Sequence, residues 1–348
     1  MRGLSFGGDR TIDFLDVPDP TPGEGEVVLA MRASGMCGSD LKMYRAARGS
    51  LSIARVDNTV PVIAGHEPCG VVAAVGPGVG PHQAKVGDRV MVHHYAGCTV
   101  CDHCRTGWEQ MCSSQAPAVY GISANGGHAP FLKVPARTLV TLPDELSFEA
   151  GAAISCGTGT AYAGLKRAGL TGADTIAVFG QGPVGLAGTQ LAAALGARVI
   201  ALDINAARLA RAAEFGADVV VDPSKDDPVQ AIREITGGRG VRIVMETSGA
   251  MEARKAALTA LAPWGTLCLI AGGGGIPVDN VSDLLMRQIS IVASWTFSNV
   301  GQAECARFVT ERKIPVDKVF THRWALDQGD EAYRLFDKQS DGKGVFLM

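Results

Sequence analysis

The sequence predicts an α/β protein in two parts, a β-rich domain and a doubly wound parallel sheet of six strands. Three observations carry that expectation. A strand, a glycine turn, a helix and a second strand follow one another from Thr175 to Asp203. Four more apolar runs, interleaved with helical patterns, continue as far as Ser294. Residues 1 to about 155 look different, with short β-branched runs between turns rich in Gly and Pro.

The run Thr175 to Phe179 reads as a buried strand. It breaks at Gly180-Gln181-Gly182-Pro183-Val184-Gly185, a fit to G-x-G-x-x-G. A helical pattern follows with Val184, Ala187, Leu191 and Leu195 on one face, and it stops at Gly196. Val199 to Leu202 then closes on Asp203, 18 residues past Gly185. Glycines permit a tight turn and a close backbone approach to a pyrophosphate, whose charge the free N–H groups of the helix N-terminus attract. The Asp203 carboxylate can accept hydrogen bonds from both adenosine ribose hydroxyls and would repel a 2′-phosphate, so NAD is favoured over NADP. Arg208 either bridges to that ribose or is an ordinary helix-face charge. With 44 glycines in 348 residues the pattern alone is weak. A ligand-free tight turn is the bland alternative, and the flanking strands and terminal acid argue against it.

The remaining sheet strands are expected at Asp218 to Val221, Val241 to Glu246, Thr266 to Ala271 and Ser290 to Ser294, with helices at Ala206 to Phe215 and Met251 to Leu261. In the first domain, Val27 to Leu29, Val71 to Val75 and Arg89 to Val92 are strand candidates between turns such as Pro22-Gly23 and Gly76-Pro77-Gly78. The tail carries helical patterns at Gln302 to Arg312 and Gly329 to Lys338. Its apolar Val345-Phe346-Leu347 is expected to return as a strand to the first domain. The expected boundaries are 1–156, 157–295 and a returning 296–348.

A net charge of −3 supplies no basic field for nucleic acid. The N-terminus MRGLSFGGDR has no signal-peptide core, and no apolar stretch is long enough for a bilayer, so a soluble, cytoplasmic protein is expected. In such a chain nine cysteines point to metal or chemistry before disulfides. Cys98, Cys101, Cys104 and Cys112 fit C-x2-C-x2-C-x7-C, and four close thiolates surround one ion with no open position, as in structural zinc sites. An iron–sulfur cluster is the rival, but its run continues with three residues and Cys-Pro, where this chain has seven residues and Ser113. A second set is dispersed: Cys37 in Cys37-Gly38-Ser39-Asp40, His66 and Glu67 after Gly65, and Cys156 in Ser155-Cys156-Gly157-Thr158. Three such ligands leave a fourth position open.

These motifs together resemble the zinc-dependent medium-chain alcohol and polyol dehydrogenases, and the likeness runs essentially end to end. The resemblance implies a GroES-like catalytic domain followed by a Rossmann domain, with two Zn2+ ions per chain. It implies that Cys37, His66 and Cys156 hold a catalytic zinc, with Glu67 beside it as an occasional ligand and Asp40 orienting the His66 ring. The four-cysteine lobe would hold the structural zinc. Ser39 would relay the substrate proton, His94 would line the substrate pocket, and Thr160 and Trp295 would lie at the cofactor. Cys69, Cys268 and Cys305 are assigned to packing. Relatives are dimers or tetramers, and Ser290 to Ser294, as an edge strand, invites pairing with a second copy.

Two departures stand out. Cys156 replaces the glutamate frequent in the sorbitol-type branch and points toward the alcohol, threonine or glucose-type branches. Lys42 stands where many relatives have a proton-passing histidine; a lysine shuttles poorly near pH 7 and is expected to be exposed or cofactor-adjacent. The expected activity is hydride transfer between NAD(H) and a secondary alcohol or ketone, a polyol, sugar or amino alcohol in preference to a plain alcohol. Alternatives are a dehydrogenase of simple primary or apolar alcohols, and a zinc-independent reductase of the same superfamily. A nucleic-acid or partner-binding module built on the cysteine lobe would need a basic surface, which Asp102 and Glu109 do not supply.

Overall fold

Val27, Leu29 and Met31 alternate along the strand Glu26–Gly35, and all three are buried on one face of a sheet. In the computed structural model, which describes residues 1–49, 60–339 and 342–348, this strand is central to the first of two units. That unit comprises Met1–Cys156 and Ser298–Met348; the second comprises Gly157–Phe297. The first unit's sheet runs Phe320–Trp324, Lys343–Leu347, Glu26–Gly35, Glu67–Val75, Arg89–Val92, Leu139–Thr141, with Phe131–Pro135 also on Glu26–Gly35. Its core gathers Val27, Leu29, Met31, Val72, Val90, Val92, Leu132 and Val134.

Strand register positions the chemistry. Gly35 lies opposite Glu67 in one antiparallel pair and opposite Val345 in the other. The residues just past Gly35 and just before Glu67 are therefore neighbours, and the returning strand Lys343–Leu347 borders both. The Val345-Phe346-Leu347 run does return to the first unit, and its strand begins two residues earlier. The helix Phe148–Ala153 starts where Ser147 Oγ accepts the Ala150 N–H at 3.0 Å. It passes into a π-helical turn, Ile154–Thr158, and then into the helix Gly159–Arg167. Such wide turns recur at functional sites, and this one carries Cys156.

The second unit is a six-stranded parallel sheet in the order Val219–Val221, Arg198–Leu202, Thr175–Phe179, Val241–Glu246, Leu261–Leu269, Ser290–Ala293. This is the doubly wound order with its reversal beside Thr175–Phe179. Ile176 to Phe179 and Val199 to Leu202 are buried on both faces, so they read as unbroken apolar runs. Two expectations need correction. The helix Pro183–Leu195 is buried nearly all round, from Gly185 to Ala192, while Val184 and Leu195 are only half-buried, because helices flank it as well as the sheet. The strand expected at Thr266 to Ala271 spans Leu261–Leu269. A bulged pairing with Val241 lengthens its start, and beyond Leu269 the N–H groups of Ile270 and Ala271 both turn to the Glu246 carbonyl. Among the described residues, no helix is long and apolar enough to cross a membrane.

Candidate active site

Cys37, His66, Glu67 and Cys156 converge in the first unit, with one ligand atom of each within 4.8 Å of the others. The Cys37 N–H donates to Asp40 Oδ2 at 2.8 Å and the Asp40 N–H returns to the Cys37 carbonyl at 3.0 Å, a tight turn that starts the helix Asp40–Arg45. Gly65, at φ +93°, lies so close to His128 that a Cβ would sit 2.4 Å from its ring, so glycine is required just ahead of His66. Two sulfurs about 2.3 Å from one tetrahedral ion stand about 3.8 Å apart. Cys37 Sγ and Cys156 Sγ are 3.8 Å apart. The residues fit a zinc ion.

Electrostatics agree with that fit. Asp40 Oδ1 lies 2.9 Å from His66 Nδ1, and Ser39 Oγ lies 3.3 Å from Nε2. The hydrogen bond from Cys156, then the nearby His66, holds the Cys37 thiol well below its usual pKa, while the same bond pushes Cys156 up. Thiolate and thiol thus share one proton, which a cation would displace. Burial lifts the Glu67 carboxyl to about 8, against the pull of Lys343. Lys343 Nζ donates to Glu67 Oε1 at 2.6 Å, and among the described residues buried Glu67 Oε2 has no hydrogen-bond partner. An orphaned buried oxygen in a ligand cluster is where a cation would be satisfied.

Cys98, Cys101, Cys104 and Cys112 also have all their sulfurs within 4.8 Å of one another, with Cys98 and Cys104 3.9 Å apart. That spacing matches one central ion; a cluster of several irons would push its thiolates further apart. The Cys104 N–H is the foremost group holding the Cys101 thiol down at about 5, so a thiolate is favoured here.

In the second unit, Gly180 has φ +88°, and a Cβ on Gly185 would fall 1.8 Å from the Gly180 carbonyl oxygen. Both glycines are demanded by the turn itself. At Gly182, the cap of the helix Pro183–Leu195, a Cβ would meet no atom of the described residues within 4 Å, so none of them requires glycine there. That opening suits close approach of a pyrophosphate, with Pro183 and Val184 opening the helix behind it. Asp203, buried at the end of Arg198–Leu202, accepts the Gln181 N–H at 2.6 Å and the Asn205 N–H at 2.9 Å, and Arg208 lies 3.7 Å away. Thr160 is buried in Gly159–Arg167, and Trp295, two residues past Ser290–Ala293, is 58% exposed.

Family models match both units: an alcohol dehydrogenase GroES-like domain over residues 23–144 and a zinc-binding dehydrogenase domain over 183–311. The chain belongs to the zinc-binding alcohol dehydrogenases. It is 38% identical to YphC, an uncharacterised zinc-type alcohol dehydrogenase-like protein of Escherichia coli K12, over 99% of this chain and 98% of that one. It is 34% identical to an alcohol dehydrogenase of Geobacillus stearothermophilus, over 97% and 96% respectively. An alcohol dehydrogenase structure from Thermus sp. ATN1 superposes with a TM-score of 0.87 at 27% identity, covering 100% of this chain and 99% of that one.

In this dehydrogenase His94 is buried beside the metal cluster, its ring centroid 5.2 Å from that of His66. Its Nδ1 lies 3.2 Å from the Ser155 carbonyl, and burial, then the neighbouring His66, holds its pKa well below the usual value. Lys42 is exposed, and Cys69, Cys268 and Cys305 are buried in packing. Sequence reasoning missed Lys343. A lysine leading an apolar strand was the available signal, because a buried lysine requires a carboxylate, and Glu67 is one that requires a cation.

Proposed function

We propose that this dehydrogenase oxidises a hydroxylated secondary alcohol, a polyol, sugar or amino alcohol, with NAD, and reduces the matching ketone in reverse. One observation carries the reading: Cys37, His66 and Cys156, far apart in sequence, offer ligand atoms to one point beside Ser39 and His94. A zinc ion held there would supply a Lewis-acidic open position that makes an alcohol oxygen more acidic. Asp40 Oδ1, 2.9 Å from His66 Nδ1, would favour a proton on that nitrogen and leave Nε2 as the ligand atom. Ser39 Oγ, next to Nε2, is placed to receive the hydroxyl proton. His94, held by its Nδ1 contact with the Ser155 carbonyl beside the metal cluster, would line the substrate pocket and suits a hydroxylated substrate. Gly180 to Gly185 would cradle the pyrophosphate and Asp203 the ribose of a bound NAD, which would supply the hydride acceptor.

The edge strand Ser290–Ala293, with exposed Trp264, Leu285 and Met286 on flanking segments, supports a homodimer or homotetramer, to be read by light scattering. Nine free cysteines suit a reducing cytoplasm. The decisive experiment combines metal analysis with a panel of polyols, sugars and simple alcohols, followed at the nicotinamide absorbance. Two zinc ions per chain are expected, with Cys156→Ser losing one of them and all activity while staying folded. Full activity in Cys156→Ser would overturn the metal reading in favour of a zinc-independent reductase. Preference for apolar alcohols would overturn the substrate class.

A further inference from the structure

His128 and Tyr333 lie outside every motif above, yet both are completely buried. They complete a file of polar side chains ending on a metal-site residue. Ser34 Oγ lies 2.7 Å from His128 Nδ1, and His128 Nε2 lies 2.9 Å from Tyr333 Oη. Tyr333 Oη lies 3.2 Å from Asp40 Oδ2, and Asp40 Oδ1 lies 2.9 Å from His66 Nδ1. The members come from the strand Glu26–Gly35, the segment ahead of Phe131–Pro135, the helix Gly329–Asp337 and the helix Asp40–Arg45. Phe6 meets the Tyr333 ring edge-on at 4.9 Å and Phe346 meets the His128 ring at 4.7 Å, so apolar rings line the file.

Counting protons fixes its direction. A carboxylate has none to give, so the single Tyr333 hydroxyl proton goes to Asp40. The Tyr333 oxygen must then accept, which makes His128 Nε2 the donor. Burial holds the His128 pKa down at about 4, so the ring is neutral with a bare Nδ1, and Ser34 donates to it. Every hydrogen bond in the file points toward Asp40, which also accepts the Cys37 N–H.

We propose that Tyr333 and His128 are positioning residues for the metal site: they fix the Asp40 carboxylate and, through it, the tautomer and orientation of His66. The inference rests on the reading that His66 holds a metal ion. Removing the Tyr333 hydroxyl strips Asp40 of a donor and leaves the buried His128 N–H without an acceptor.

The test measures how fast a chelator strips zinc, following the phase that Cys156→Ser removes. Partners that orient a metal-bound histidine are worth about 10- to 100-fold in metal affinity, so Tyr333→Phe and His128→Leu are each expected to speed that phase by roughly tenfold. The four-cysteine phase should stay unchanged. The double variant should be no faster than Tyr333→Phe alone, because the two residues act in series. His128→Gln, whose amide N–H can replace the Nε2–H, should restore near-wild-type release. The proposal is overturned if Tyr333→Phe leaves the phase unchanged or speeds both phases alike, or if His128→Gln is no better than His128→Leu. Should His128→Leu fail to fold, Tyr333→Phe, which deletes one oxygen, decides alone. A wild-type protein with no phase sensitive to Cys156→Ser overturns the metal reading and this inference with it.

Discussion

The two units treat their buried carboxylates in opposite ways. In the second, Asp203 and Glu246 are satisfied mainly by nearby backbone: Asp203 by the Gln181 and Asn205 N–H groups, Glu246 by those of Ser248 and Gly249. Arg254, eight residues on, completes Glu246. In the first unit, Glu67 depends on Lys343, 276 residues away, and Asp40 adds to the Cys37 N–H of its own turn a donor 293 residues away, Tyr333. A carboxylate held by its own turn costs the fold little if one side chain changes. One held by a distant cation makes the site's charge balance depend on tertiary structure.

The largest test of that contrast is Lys343→Met, which keeps much of the stem volume and removes the charge. Breaking one side of a buried ion pair costs about 3–5 kcal/mol. Glu67, left buried without its cation, can take up a proton and so limit the cost, and the loss is expected near the lower end, about 3 kcal/mol, by urea unfolding of the zinc-loaded protein. A change below about 1 kcal/mol would show that Glu67, like Asp203, needs no distant partner. Next comes Asp203→Ala. Removing that carboxylate leaves the buried Gln181 N–H without its acceptor, a loss of about 1–3 kcal/mol by urea unfolding, while the preference for NADH over NADPH in fluorescence titration narrows about tenfold, or 1.4 kcal/mol. Equal wild-type affinities would remove the carboxylate from cofactor choice.

The smallest effect belongs to a half-exposed pair in the second unit. Arg242 Nη2 lies 2.7 Å from Asp174 Oδ2, and this hydrogen bond is the first cause holding the Asp174 carboxyl down at about 2. A depressed acid stabilises the fold above its unfolded pKa near 4 and loses that contribution as pH falls toward 2. With the guanidinium in water, the contribution is about 1 kcal/mol or less. Urea midpoints of wild type and Arg242→Met should differ above pH 5 and converge near pH 2; a gap that persists in acid would show that Arg242 acts through packing.

The same contrast explains what was legible in the sequence. Thr175–Phe179 and Val241–Glu246 stood out because strands buried on both faces are unbroken apolar runs. The glycine turn and the four-cysteine lobe are local patterns whose spacing is itself the geometry. The early start of Leu261–Leu269 was hidden because Pro263, the positive-φ Trp264 and Gly265 interrupt it, and only pairing with Val241 defines it. The all-round burial of Pro183–Leu195 depends on flanking helices, which periodicity does not see. Lys343, Tyr333 and His128 carry no motif. Lys343 is placed by Gly35 lying opposite both Glu67 and Val345, a register that exists only once the sheet is assembled. Tyr333 and His128 are placed by the packing of a helix and a loop against that sheet end.

The interleaved route of the first unit bears on how the chain is made. Residues 157–297 emerge as one continuous block and can condense as soon as they clear the ribosome. Cys37, His66 and Cys156 emerge before them, but the strand carrying Lys343 follows that whole block, so until it is translated Glu67 has no counter-charge and the sheet lacks two strands. Nascent chains therefore pass through a stage in which the thiols are translated but their coordination sphere has yet to be enclosed.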